Sequence, residues 1–98
     1  MSLPVILRPA AETDVDAIRA DLDRVRLGLG DNFGSRLRDV LRRIEQMPEL
    51  YGVVWRDVRA ARLRRFRHVV YDVVLADRVE VIAVLHGSRD SSAWRSRA

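Results

Sequence analysis

The spacing of the apolar residues changes at Tyr51-Gly52, and this change constrains the fold more than any other feature of the sequence. Before it, apolar residues recur every three or four positions, as they do along one side of a helix. After it, apolar and polar residues first alternate and then form near-continuous apolar runs, which is typical of strands covered on both faces. The sequence therefore predicts an α+β fold in which helices pack on one face of a sheet.

The first of two predicted helices is expected from Glu12 onward. Thr13 or Asp14 is its expected N-cap, since their side-chain oxygens can accept from free backbone N–H groups. Acidic residues also crowd the first turn, where they interact favourably with the helix dipole. Its apolar residues form one stripe made of Val15, Ile18, Leu22, Val25 and Leu29, and two glycines, Gly28 and Gly30, close it. The acids Asp14, Asp16, Asp21 and Asp23 fall on its polar side and are interpreted as solvated.

The second helix is expected to be capped by Asp31 or Asn32 and to end before Pro48. Its apolar face comprises Phe33, Leu37, Val40, Leu41, Ile44 and Met47, and its outer face carries Arg36, Arg38, Arg42 and Arg43, which read as a solvated surface. Only about three residues separate the two helices, so they must form an antiparallel hairpin.

One strand is predicted before this helical hairpin in the sequence, and three are predicted after it. The predicted strands are Leu3 to Arg8 (ended by Pro9), Val54 to Leu63 with an irregular stretch at Ala60-Ala61, His68 to Leu75, and Val79 to His86 after a tight turn at Ala76 to Arg78. A short tail, Ala93 to Arg97, has room for about one helical turn. The predicted order is β-α-α-β-β-β, with the helical hairpin on one face of a small sheet and a single domain over residues 1–98.

The basic residues are unevenly distributed. All 18 are arginine, and the formal charge is −2 over residues 1–31 but +6 over residues 32–98. Five arginines fall within the nine residues of one predicted hairpin: Arg59, Arg62, Arg64, Arg65 and Arg67. Such a density indicates an anionic partner rather than an ordinary solvated turn.

Several classes of protein are excluded or disfavoured. The chain has no cysteine, no Gly-rich phosphate loop, no nucleophile elbow and no paired-carboxylate motif, and its two histidines lack the spacing of a metal site. We therefore expect neither a metal nor a cofactor. No apolar run approaches the ~18 residues of a membrane span and no signal-peptide pattern opens the chain, so a cytoplasmic protein is expected.

Four segments, taken in order, carry a resemblance to a known family: Glu45-Gln-Met-Pro48 followed by Tyr51, Val58-Arg59, Arg65-Phe66 through Tyr71, and His86-Gly-Ser-Arg89-Asp90 followed by Trp94. Together they resemble the RelE/ParE superfamily of toxins from type II toxin–antitoxin modules. The resemblance implies a growth-inhibiting toxin that forms a hetero-oligomer with an antitoxin from the same operon. It implies one of two targets, DNA gyrase in the ParE-like branch or messenger RNA in the ribosomal A site in the RelE-like branch.

Three residues lie near the positions that the nuclease branch uses: Arg59, His68 and Arg89. His68 can act as an acid or a base, and the planar guanidinium of Arg89 suits a phosphate. Alternatively, His68 is a structural residue of the strand, with a ring nitrogen that is hydrogen-bonded within the fold. His86, at the end of a strand, can likewise have only a structural hydrogen bond and no role in binding. The absence of lysine, and Trp94 where the nuclease branch often has tyrosine, favour the ParE-like branch, because an indole cannot transfer a proton in this role.

The residues expected to bind the target or the antitoxin are Arg59, Arg62, Arg64, Arg65, Arg67, His86, Arg89 and Trp94. Nucleic acid, an acidic antitoxin and an acidic surface of gyrase are the possible anionic partners. Phe66 and Tyr71 are interpreted as core residues rather than a base-stacking platform. An antitoxin segment, helical and then extended, is expected across an apolar groove between the helices and the sheet edge.

Overall fold

The computed structural model describes residues 2–98, which form five strands and three helices. In chain order they are β1 (Val5–Leu7), α1 (Pro9–Val25), α2 (Leu29–Gln46), β2 (Val53–Trp55), β3 (Val58–Arg62), β4 (His68–Val74), β5 (Val79–His86) and α3 (Ser92–Arg95). The sheet order is β1-β5-β4-β3-β2, with β1 parallel to β5 and the other pairs antiparallel. The predicted α+β fold, with a helical hairpin packed against a small sheet, is confirmed.

Helix α1 begins earlier than the sequence indicates. Pro9 occupies its first turn, where a fixed φ favours helix and the missing N–H would have no partner in any case. The prediction of Thr13 or Asp14 as the cap is wrong, since Arg8 is the N-cap residue and the Thr13 hydroxyl donates to the Pro9 carbonyl at 3.1 Å. At the other end Val25 is 78% exposed, so it lies outside the buried stripe predicted for this helix.

The turn between α1 and α2 is capped by an acid from α1. Asp23 Oδ1 accepts hydrogen bonds from the backbone N–H groups of Gly28 (3.2 Å) and Gly30 (2.8 Å). Gly28 adopts a left-handed φ of 97°, and a Cβ at Gly30 would lie 2.8 Å from the Arg19 carbonyl oxygen. The predicted caps of α2, Asp31 and Asn32, are therefore wrong, as is the purely solvated role predicted for Asp23.

Both faces of the central strands are covered, as their apolar sequences predict. The helix-side core contains Phe33, Leu37, Val40 and Ile44 of α2 together with Ala61, Leu63, Val70, Val79, Val81 and Val84. The core on the other face contains Val58, Val69, Tyr71, Val73, Ile82 and Leu85 covered by Trp94. The rim residue Met47 is 58% exposed and does not belong to the buried face predicted for α2.

The strand predicted from Val54 to Leu63 is in fact two strands, β2 and β3. They are joined by a turn at Arg56-Asp57 in which Arg56 has a φ of 52°. The predicted irregularity at Ala60-Ala61 is wrong, because both residues pair regularly with β4. The predicted C-terminal helical turn is confirmed as α3.

The tail after α3 is bound to α1 and β5 by four charged residues, Arg8, Asp14, Glu80 and Arg97, which we call the C-terminal clasp. Arg97 donates to both oxygens of Asp14 (2.6 and 3.2 Å) and to the Ile82 carbonyl (3.1 Å). Ile82 forms a bulge in β5, since Tyr71 pairs with Ala83 and Asp72 pairs with Val81. Ile82 thus has no partner on β4, and its carbonyl is free to accept. Arg8 in turn binds Glu80 and the carbonyl of Arg97, each at 2.8 Å. The prediction that Asp14 is merely solvated is wrong.

Within residues 2–98, none of the helices combines the length and the apolar character that crossing a membrane requires.

Candidate functional site

Eight of the arginines that make no ion pair lie together at one end of the sheet. The α1–α2 turn, the outer face of α2, the β3–β4 loop and the segment after β5 contribute them. We call this surface the basic end; its arginines are Arg26, Arg36, Arg43, Arg62, Arg64, Arg65, Arg67 and Arg89. Along residues 2–98 none of these eight side chains makes an ion pair.

The β3–β4 loop is tied by backbone hydrogen bonds to its own base and to the end of β5. The Leu63 N–H donates to the His68 carbonyl (3.1 Å), and the Gly87 N–H donates to the Arg67 carbonyl (2.7 Å). Arg65 has a φ of 68°, a conformation unusual for a residue with a side chain. A Cβ on Gly87 would lie only 3.2 Å from the Arg67 oxygen, so glycine permits this close contact between the loop and the end of β5.

A cleft of about 460 Å³ lies between this loop and the end of β5. It is lined by Arg62, Leu63, Phe66, Arg67, His68, His86, Gly87 and Ser88. The backbone N–H of Ser88 donates to His86 Nδ1 at 3.0 Å, and its hydroxyl lies 2.7 Å from the same atom. Because Nδ1 accepts from a backbone donor, neutral His86 carries its proton on Nε2. The structural hydrogen bond predicted for His86 is therefore present.

His68 is packed edge-on between two rings, with centroids 5.1 Å from Phe33 and 5.4 Å from His86. Burial lowers the pKa of His68 below its ordinary value, and the neighbouring His86 lowers it further. Its Nδ1 is buried and finds no hydrogen-bond partner among residues 2–98, so the interpretation of a satisfied ring does not hold at this atom. The lowered pKa favours the neutral imidazole.

The structure separates Arg59 from the other two residues proposed for a nuclease. Arg59 Nη1 donates to the Tyr51 carbonyl (2.6 Å), and Arg59 pairs across the sheet with Asp72. Asp72 is four residues along β4 from His68, a separation of roughly 13 Å. His68 and Arg89 do line a common cleft of about 340 Å³. The arrangement thus offers one imidazole and one guanidinium together, without the third predicted group.

Trp94 lies on the face of the sheet opposite the helical hairpin. Its ring stacks on Tyr71, with a centroid distance of 4.6 Å and an interplanar angle of 13°, and meets Trp55 edge-on at 6.1 Å. The guanidinium groups of Arg56 and Arg95 lie 4.3 and 5.1 Å from the centre of the Trp55 ring. Trp94 is therefore a packing residue on the far side of the sheet from His68. The core position predicted for Tyr71 is confirmed, whereas Phe66 is only partly buried and packs against the helix-side core.

An apolar groove of about 760 Å³ occupies the end of the molecule opposite the basic end. We define it by its lining, which is Leu3, Gln46, Met47, Pro48, Glu49, Leu50, Val74, Leu75 and Ala76. Next to it β2 forms the outer edge of the sheet, with Val53 and Val54 about half exposed. The groove itself lies between the end of α2 with the loop that follows it and the end of β4, and its lining includes no residue of β2. Among the described residues there is no group of three or more His, Asp or Glu side chains that could hold a metal ion.

The family model for the ParE toxin of type II toxin–antitoxin systems, parDE, matches residues 5–91, which include β1 through β5. The chain belongs to the ParE toxin family. Among solved structures it is similar to the chromosomal ParDE TA system from P. aeruginosa, with a TM-score of 0.77 over 87% of this chain and 96% of that chain. Sequence identity there is 12%, so the likeness is one of fold. No curated protein matches the sequence.

One polar residue of this ParE-family sheet was not singled out from the sequence. Asp72 is 1% exposed, and its Oδ1 has no hydrogen-bond partner among residues 2–98. Burial raises the pKa of Asp72 to about 7, although the positive charge of Arg59 acts in the opposite direction. The only sequence signal was its position, a lone acid within Val69-Val-Tyr-Asp-Val-Val74.

Proposed function

We propose that the chain inhibits growth by binding DNA gyrase and that a cognate antitoxin neutralises it. The match of the ParE toxin family to residues 5–91 carries this proposal. Two features of the site support binding rather than RNA cleavage: Arg59 lies far along the sheet from His68, and Trp94 is packed into the core of the other face. We infer that residues 1–98 act as one domain in the cytoplasm, where gyrase works.

The antitoxin is proposed to occupy the apolar groove and the outer edge of β2, giving a hetero-oligomer. Exposed Met47 and Leu50 beside the groove suit the apolar face of a helix. The outer edge of β2 has free backbone donors and acceptors with which an extended segment can pair. This location leaves the basic end uncovered in the proposed complex.

An alternative is a ribosome-dependent mRNA endonuclease. It is favoured by one observation, that a neutral His68 and the guanidinium of Arg89 line the same cleft. In that reaction His68 would exchange the proton of the attacking 2′-hydroxyl or of the leaving oxygen, and Arg89 would stabilise the phosphate.

Induction of the chain without its antitoxin tests the proposal. We expect filamentous cells with DNA-damage signalling, and inhibition of supercoiling when the purified chain is added to gyrase. The variant His68→Gln separates the alternatives, because it should keep its toxicity if gyrase is the target and lose it if RNA is cut. Rapid loss of protein synthesis with codon-register cuts in messenger RNA would overturn the gyrase proposal.

A further inference from the structure

We propose that the basic end binds the phosphate backbone of duplex DNA. The choice of DNA rests on the proposed function, since a protein directed at gyrase meets its target on duplex DNA. The binding surface itself is argued from the charges, the exposed side chains and the clefts of this end of the molecule.

The charge of the basic end is not used by the fold. Six arginines elsewhere are neutralised by acids, and these are Arg8, Arg19, Arg24, Arg42, Arg78 and Arg97. By contrast, no acidic residue occurs between Arg59 and Tyr71. Three acids at the margin are paired elsewhere: Asp39 with Arg42, and Asp14 and Asp21 of the Arg89 cleft with Arg97 and Arg24. Asp90 accepts from the Ser92 N–H at 2.8 Å and keeps its charge, so it offsets one arginine of the eight. The positive potential is therefore left for a partner.

The exposed side chains favour phosphate over an acidic protein. A protein interface normally has an apolar core, whereas a protein–DNA interface is polar and strongly positive. Of the exposed large apolar residues, only Val25 at the end of α1 and Leu27 in the α1–α2 turn lie near the basic end. The others, Ile6, Met47, Leu50, Val53 and Val54, lie elsewhere. The arginines of the β3–β4 loop thus stand without an apolar centre around which a protein could pack.

The aromatic residue of this surface favours a duplex over a single strand. Binding of single strands relies on aromatic rings that stack on exposed bases. Phe66 is the one aromatic ring of the loop, and it is half-buried and held edge-on against Phe33 at 5.4 Å. The basic end therefore offers cations for a backbone without a platform for bases.

Two neighbouring clefts supply donors of the kind that phosphates accept. Arg62, Arg67 and the Nε2–H of His86 belong to the cleft of about 460 Å³ described above. A second cleft, of about 470 Å³, lies on the other side of Phe66 and is lined by Arg26, Leu29, Asn32, Ser35, Arg36, Arg65 and Phe66. Arginine, asparagine and serine are common phosphate ligands in protein–DNA complexes. The geometry gives two adjoining phosphate positions, one on each side of the loop.

The test is the salt dependence of binding of the full chain to a labelled duplex of arbitrary sequence, followed by fluorescence anisotropy. With about six phosphate contacts, Kd should rise roughly 10³-fold between about 50 and 200 mM salt. The triple variant Arg36→Gln, Arg64→Gln, Arg67→Gln should reduce this rise to about 40-fold, because each lost contact lowers the slope by about one unit.

A matched control removes the same charge from other surfaces through Arg24→Gln, Arg56→Gln and Arg95→Gln, and it should keep the steep salt dependence. Thermal melts of both triple variants verify that they are folded. Three outcomes would overturn the proposal: equal loss of binding in the two variants, tighter binding to single strands than to the duplex, or binding to an acidic peptide without binding to DNA.

Supercoiling assays with the same proteins separate this inference from the proposed function. Inhibition of gyrase by a chain that does not bind duplex DNA would contradict the proposed DNA binding but would still support gyrase as the target. Salt-dependent DNA binding of the expected slope, without inhibition of gyrase, would support the basic end as a DNA surface while removing gyrase as the target.

Discussion

Arginine has opposite roles in the C-terminal clasp and at the basic end. In the clasp, Arg8 and Arg97 each bind a carboxylate from a distant segment, and these contacts join the tail to α1 and β5. At the basic end eight arginines share one surface without an ion pair among residues 2–98. Paired, half-buried arginine stabilises the fold, whereas unpaired, exposed arginine leaves charge available for a partner. Substitutions in the two regions should therefore affect different properties.

The largest expected effect on stability is at the C-terminal clasp. Asp14→Ala removes both hydrogen bonds to Arg97 and the acceptor of the Val84 N–H, in a pair whose side chains are 11% and 28% exposed. We expect the free energy of unfolding to fall by about 3 kcal/mol, because breaking a largely buried pair leaves a charge uncompensated. A thermal melt should show a midpoint lower by roughly 10–20 °C.

Asp16→Ala is the control for this prediction, since Asp16 is an exposed acid on the same helix. It should change the free energy of unfolding by less than about 0.5 kcal/mol. Equal destabilisation by the two variants would contradict the role assigned to the clasp.

A smaller effect on stability, of opposite sign, is expected from substitution of the buried acid Asp72. The side chain of its neighbour Arg59 donates to the carbonyls of Glu49 and Tyr51 rather than to Asp72. The pKa of Asp72, about 7 in the folded state, lies above its ordinary value of 3.8. Between pH 3.8 and about 7, the folded state therefore holds a proton on Asp72 that the unfolded state has lost. The contribution of Asp72 to stability falls as pH rises through this range and is lowest above about pH 7. Asp72→Asn should remove that fall and stabilise the protein at pH 8 by on the order of 2 kcal/mol.

Thermal melts of Asp72→Asn and the unaltered chain at pH 5 and pH 8 measure this effect. The lowered pKa of His68 acts at the acid end, but it acts equally in both proteins and cancels in the difference. Asp57→Asn, which alters an exposed acid, provides the control. If the difference between Asp72→Asn and the unaltered chain is the same at both pH values, Asp72 is not the titrating group.

The smallest effect on stability is expected at the basic end. Arg64→Gln and Arg67→Gln, made singly, should each change the free energy of unfolding by less than about 0.5 kcal/mol, because both side chains are exposed and lack an ion pair. Denaturant titration of the folded chain measures this. A loss as large as that of Asp14→Ala would mean that these arginines hold the fold and would erase the contrast between the two regions.

The central sheet was readable from sequence because its pattern is local. Strand β5 has its predicted bounds, and β4 ends at Val74, one residue before its predicted end. Both strands are covered on both faces and therefore appear in the sequence as apolar runs, which a polar turn separates. The hairpin between β2 and β3 was missed because Arg56 and Asp57 occupy its turn, and Arg56 adopts the left-handed conformation that glycine or asparagine usually signals.

The grouping of the site residues was less predictable, because it depends on register and on distant partners. The family resemblance put Arg59, His68 and Arg89 near the positions that the nuclease branch uses, but the pairing of Arg59 with Asp72 puts it well along the sheet from His68. Likewise Asp14 belongs to a helix whose acids look alike, and its partner Arg97 lies 83 residues away. No local periodicity encodes either relation.

The C-terminal clasp and the parallel pairing of β1 with β5 also determine when a newly made chain can complete its fold. Val5 pairs with Val79, so the sheet cannot be completed before β5 has left the ribosome. Arg8 binds the carbonyl of Arg97, so the clasp forms later still. At ordinary rates of synthesis a chain of 98 residues takes roughly 5–20 s to make. A message that stalls or is cut before the codon for Arg97 yields a chain without its closing contacts. The sheet and the C-terminal clasp are thus completed only after translation of this segment.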